Sequence, residues 1–111
     1  MAGKLKALIC DSDSGWIAHH KDALKSLGYE VVGVATDAEG AVRIAQETQP
    51  DVVVTSLFLP YPSDAFLMMH TISRLTKNNA RFVIVSSDPQ VCVLPKRDWD
   101  PTVFAKMVTG S

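Results

Sequence analysis

Carboxylates and hydroxyls gather where apolar runs of this chain stop. Residues 4–10 (KLKALIC) lead straight into Asp11-Ser12-Asp13-Ser14-Gly15, residues 50–55 (PDVVVT) end at Ser56, and residues 81–85 (RFVIV) end at Ser86-Ser87-Asp88. Such groups suit a loop at the edge of a fold, not its core. Two chemistries are open to them. Carboxylates could hold a hard divalent cation through oxygen, and a serine could attack as a nucleophile if a base took its proton. Asp11 is the nearest base in prospect for Ser56, and no histidine stands at a strand end. The commoner use of such a serine is a small hydroxyl bonded to backbone, and that is expected here.

The elements that would position these residues alternate strand with helix. Residues 4–10, 30–35 (EVVGVA), 51–55 and 81–85 are short, largely apolar strand candidates, and 51–55 is β-branched in the middle, as a strand covered on both faces requires. Residues 16–27 carry Ile17, Ala23, Leu24 and Leu27 on one helical face, and Gly28 closes them as a left-handed cap. Thr36-Asp37-Ala38-Glu39 reads as a capping box that opens a helix to about residue 47. Residues 64–75 form a third helix with the run Ala65-Phe66-Leu67-Met68-Met69. Five apolar residues in a row exceed one buried face, so part of this helix is expected to meet a partner. Alternation of this kind implies right-handed crossovers and a parallel sheet. The fold class is therefore α/β, a flavodoxin-like doubly wound five-stranded sheet of order 2-1-3-4-5 over residues 1–111 as one domain, with its chemistry at the carboxyl ends of the strands.

The last quarter admits two readings. Residues 91–94 could be the fifth strand and 101–108 a short last helix, but only residues 87–90 would then join strands four and five. A parallel return takes about a dozen residues or more. The preferred reading makes TVFAK (residues 102–106) the fifth strand and residues 87–101 an atypical crossover interrupted by Pro95. The chain then stops where a fifth helix should begin.

With these features in order, the chain resembles the receiver domains of bacterial response regulators over nearly its whole length. There the stretch matching Pro50 to Pro60 reads roughly PDLVLLDxxMP, and its terminal aspartate accepts a phosphoryl group. Ser56 stands at that acceptor position. Receivers hold a magnesium ion on two adjacent acidic residues after strand one; the matching positions are Asp11 and Ser12, so one carboxylate is kept and one replaced. Ser86 matches the hydroxyl residue that senses the phosphoryl group, and Lys106 matches the strand-five lysine, with Met107 in place of the usual proline. Pro62-Ser63-Asp64 stands where receivers commonly have MDG.

The resemblance implies a degenerate receiver, or pseudo-receiver. It would be a signal-transduction module that acts by protein contact, independent of phosphorylation, and not an enzyme. Losing two of three carboxylates while keeping a lysine leaves a nearly neutral pocket, so no Mg²⁺ or other cofactor is expected. A sheet face without its fifth helix would expose apolar surface; burying about 400 Å² of it yields about 10 kcal/mol gross, which predicts a homodimer or an element supplied by a partner. Two alternatives remain: an atypical Mg²⁺-dependent receiver still switched by phosphorylation, and a small flavodoxin-like domain that binds an anion or nucleotide. The second lacks a glycine-rich phosphate loop.

Composition narrows the partners. A net charge of −1 gives no reason to expect nucleic acid, and Lys96-Arg97 with Trp99 is a weak basic patch. No apolar run approaches the roughly 18–20 residues that span a bilayer, and the N-terminus lacks a cleavage pattern, so no membrane partner is expected. Cys10 and Cys92, without metal-ligand spacing, read as reduced packing residues of a cytoplasmic protein. Of His19 and His20, one should face inward as a satisfied core histidine; His70 should be exposed, and no metal set is spaced to include them.

Overall fold

The computed structural model describes residues 5–56, 59, 64–77, 80–86, 94–95 and 101–109. Pro60 to Ser63, Cys92, Lys96, Arg97 and Trp99 lie outside them. The elements run β1 (Lys6–Cys10), α1 (Ser14–Ser26), β2 (Glu30–Ala35), α2 (Ala38–Thr48), β3 (Val52–Ser56), α3 (Ala65–Leu75), β4 (Arg81–Ser86), β5 (Leu94–Pro95) and α4 (Pro101–Thr109). Every strand pair is parallel, and the order is β2-β1-β3-β4-β5, the doubly wound sheet that the alternation implied. Winding reverses between β1 and β3, which opens a crevice at the carboxyl ends of those two strands.

The strand period of two divides the core into two layers. Ala7, Ile9, Val52, Val54, Val83 and Val85 face Leu24 of α1 and Phe104 and Val108 of α4. Leu8, Cys10 and Val53 face Ala41 and Ala45 of α2 and Met68 and Ile72 of α3. Val32 is an extra residue between the pairs Ala7–Val31 and Leu8–Gly33, and this bulge lets Val31 and Val34 both pack on the α1 side. Gly33 then meets Ile44 of α2 so closely that a Cβ would lie 2.6 Å from its Cγ2.

Aspartates start the helices. Asp13 Oδ1 accepts from the amides of Gly15 and Trp16, Asp37 Oδ1 from Gly40, and Asp64 Oδ1 from Leu67. The cap of α2 is thus Asp37, one residue later than the Thr36 capping box expected from sequence, because Asp37 satisfies an amide of the first turn itself. Gly28, at φ +86°, ends α1 as expected, and the amides of Gly28 and Tyr29 return to the carbonyls of Lys25 and Leu24.

The last quarter corrects the preferred sequence reading. Residues 102–106 are not a strand but part of α4, and β5 is the two-residue segment Leu94–Pro95. The objection to a short connection fails for a geometric reason. Leu94 pairs with Val85 and Pro95 with Ser86, so β5 joins only the top of β4 and the chain need not travel back along the strand. Phe104 and Val108, one helical turn apart, are buried against the α1 side of the sheet. The last helix is therefore present, and the bare sheet face that motivated a homodimer is covered by it.

Candidate functional site

Strand parity decides what reaches the crevice. Asp11 follows Ala7 and Ile9, and Ser56 follows Val52 and Val54, so both fall on the side of α1 and α4. The Asp11 amide donates to the Ala35 carbonyl at 3.0 Å, which extends the β1–β2 ladder by one residue and fixes its position. Cys10 pairs with Thr55, so the next residues, Asp11 and Ser56, end adjacent strands at one level. Both are buried, at 2% and 5% exposure, and Asp11 is the one buried carboxylate among the described residues.

A residue missed by sequence reasoning joins them. His20 lies on the inward stripe of α1 with Ile17, Leu24 and Leu27, and is buried. Its Nε2 stands 3.9 Å from Asp11 Oδ2. Its ring is stacked on Phe104 of α4, centroids 6.0 Å apart, with Trp16 at 5.6 Å on α1. The spacing 17-20-24-27 carries the signal, since it puts His20 and not His19 on the stripe of Ile17, Leu24 and Leu27. The expected inward histidine is thus His20, while His19 and His70 are exposed.

The other members of the acidic loop turn elsewhere. Ser12 is exposed, and Asp13 is exposed and committed to the α1 cap. Asp11 Oδ1 accepts from the Asp13 amide at 3.0 Å, which holds the loop in its turn. On the opposite side of the sheet, Thr55 is fully buried and Cys10 Sγ reaches the Asp37 carbonyl at 3.6 Å. Burial pushes the Cys10 thiol up to about 11, despite an opposing hydrogen bond with Thr55; Asp11 and Asp37 add smaller upward pushes. A nucleophilic thiolate is therefore not available there at neutral pH.

Ser86 is the last residue of β4, one position beyond Val85, the register partner of Ser56. Lys106 is not at a strand end. It is exposed on α4, so its assignment as the strand-five lysine is overturned along with the strand itself. The residue that follows β5 in sequence is Lys96, which lies outside the described residues.

Chemically, this edge offers one buried carboxylate, a buried serine hydroxyl and a buried imidazole. A hexacoordinate Mg²⁺ takes oxygen ligands, commonly one or two carboxylates with waters. Among the described residues no group of three His, Cys, Asp or Glu side chains could share a cation. Asp11 Oδ1 is engaged by its own loop and its Oδ2 faces His20.

No protein-family model matches the chain, and no curated protein matches it significantly. Solved structures do. The receiver domain of a modulated diguanylate cyclase from Desulfovibrio desulfuricans superposes with a TM-score of 0.83 at 21% identity, over 96% of this chain and 92% of that one. The chain has the receiver fold. CheY in the CheX–CheY–BeF3–Mg complex of Borrelia burgdorferi gives 0.79 at 18% identity, over 96% and 87%. The anti-anti-sigma factor PhyR of Bartonella quintana gives 0.79 at 15% identity over 96% of this chain, which spans only 47% of that protein. At these identities the likeness is one of architecture alone.

Proposed function

We propose that this chain is a pseudo-receiver, a signalling module that works through protein contact without phosphoryl transfer. The observation that carries the reading is Ser56, a buried hydroxyl at the carboxyl end of β3, beside Asp11 as the one buried carboxylate among the described residues. A serine there lacks the anionic oxygen that attacks a phosphoryl donor. His20 Nε2 faces Asp11 Oδ2 at 3.9 Å. Asp11 and Ser56 then serve as a buried polar pair at the top of the sheet, and neither Mg²⁺ nor another cofactor is required.

The contact is with a different protein and not a second copy, since α4 buries the face that a homodimer was to cover. A cytoplasmic setting accords with Cys10 as a free buried thiol, and no described helix is long and apolar enough to cross a membrane. Amide NMR spectra recorded with Mg²⁺ and the phosphoryl mimic beryllofluoride test the reading. An unchanged spectrum at Asp11 and Ser56 is expected, and a saturable shift there would restore a phosphorylation switch.

A further inference from the structure

We propose that the groove between the N-terminal halves of α2 and α3 docks a short amphipathic helix of a partner protein, one that carries an apolar side chain flanked by lysine or arginine. This rests on the reading of the chain as a protein-contact module and names the surface it would use.

The groove has a volume of about 300 Å³, room for one or two large side chains. Val42, Leu67 and Met68 form its apolar lining, and Asp37, Glu39 and Asp64 its acidic one. Phe66 and Leu67 are 62% and 63% exposed on consecutive positions of α3. Leu67 lines the groove and Phe66 does not, since consecutive helical positions point in different directions. Both side chains are the surplus left when Met68 and Ile72 satisfy the buried face of the same helix.

Charge selects the occupant. The two helix N-termini bring roughly half a positive charge each and the Arg43 guanidinium lies beside the Asp37 cap, against three carboxylates, so the groove stays anionic by about one charge and disfavours phosphate and acidic peptides. Asp37 and Asp64 spend Oδ1 on their caps. Among the described residues neither they nor Glu39 forms an ion pair with a lysine or arginine. A second copy placed symmetrically on this face would bring the same carboxylates together, which disfavours self-association here. A helix from a partner meets both demands at once: one apolar residue fills the groove, and basic residues three or four positions away reach the carboxylates.

The test is a titration of the ¹⁵N-labelled chain with a synthetic amphipathic helix of leucine and lysine, with a leucine–glutamate peptide as its control. The lysine peptide is expected to give saturable amide shifts centred on Val42, Leu67 and Thr71, and the glutamate peptide none. Leu67→Ala, and the triple variant Asp37→Asn, Glu39→Gln, Asp64→Asn, should each weaken binding at least tenfold; asparagine keeps both caps, so the fold is retained. Absence of saturable shifts, shifts centred on another face, or full affinity in both variants would overturn the proposal, as would Leu67-dependent self-association without peptide. Beryllofluoride and Mg²⁺ added to the same sample separate the two claims. A response at Asp11 and Ser56 contradicts the phosphorylation-independent reading alone, whereas a silent groove contradicts the docking site alone.

Discussion

Replacing Phe104 with alanine tests the corrected end of the fold. Phe104 is 1% exposed and packs between the stacked ring of His20 and the sheet residues around Val83 and Val85. Truncating a buried phenylalanine costs about 3–5 kcal/mol in lost transfer energy and cavity. A domain of this size has about 5–15 kcal/mol in all, so the loss is a large share of it. For a urea slope near 2 kcal/mol/M, the unfolding midpoint should fall by roughly 2 M. Two companions discriminate helix from strand. In a strand, Thr102, Phe104 and Lys106 would share a face and Val108 would join them; in α4, Phe104 and Val108 point inward and Lys106 is exposed. Val108→Ala should therefore destabilise clearly, while Lys106→Ala should stay within about 0.5 kcal/mol. A loss below about 1 kcal/mol for Phe104→Ala, or a Lys106→Ala loss as large as that of Phe104→Ala, would refute the packing described for α4.

Two further expectations follow from close contacts elsewhere. Gly33→Ala pushes a Cβ to 2.6 Å from Ile44 Cγ2 and should cost about 1–3 kcal/mol; adding Ile44→Ala, which removes that methyl, should make the glycine change nearly neutral in a double-mutant cycle of urea midpoints. The raised Cys10 thiol makes stability depend on alkaline pH. The unfolded thiol ionises near 9.0 and the folded one near 11, so its contribution is fully present below pH 9 and is lost as pH rises towards 11. The difference amounts to about 2–3 kcal/mol over that window. Stability profiles of the chain and of Cys10→Ala should run parallel below pH 9 and converge above it; profiles that stay parallel throughout would contradict the burial assigned to the thiol.

Much of the sheet was legible because its signals are local. Val52, Val53 and Val54 are buried on both faces and read so in sequence, and Gly28 announced the end of α1. The excess of apolar residues on α3 was legible too, as the exposure of Phe66 and Leu67 bears out. The misreadings had physical causes. Thr102, Val103 and Phe104 favour strands as residue types, yet the contact of Phe104 and Val108 with the sheet gives them a helical period. A crossover rule built for full-length strands did not apply to a β5 that pairs with only two residues of β4. His20 was passed over as a site residue because its neighbour Asp11 is adjacent in space and not in sequence. The strand-end serines and Asp11 were found because a strand end brings its residue to the sheet edge whatever its neighbours do.

The proposed silent phosphorylation pocket on this receiver fold is tested by amide NMR of the chain with Mg²⁺ and beryllofluoride, run beside a receiver that keeps its acceptor aspartate. Saturable shifts are expected in that control, and an unchanged spectrum at Asp11, Ser56 and Ser86 here. Saturable shifts at those three residues would contradict the proposal.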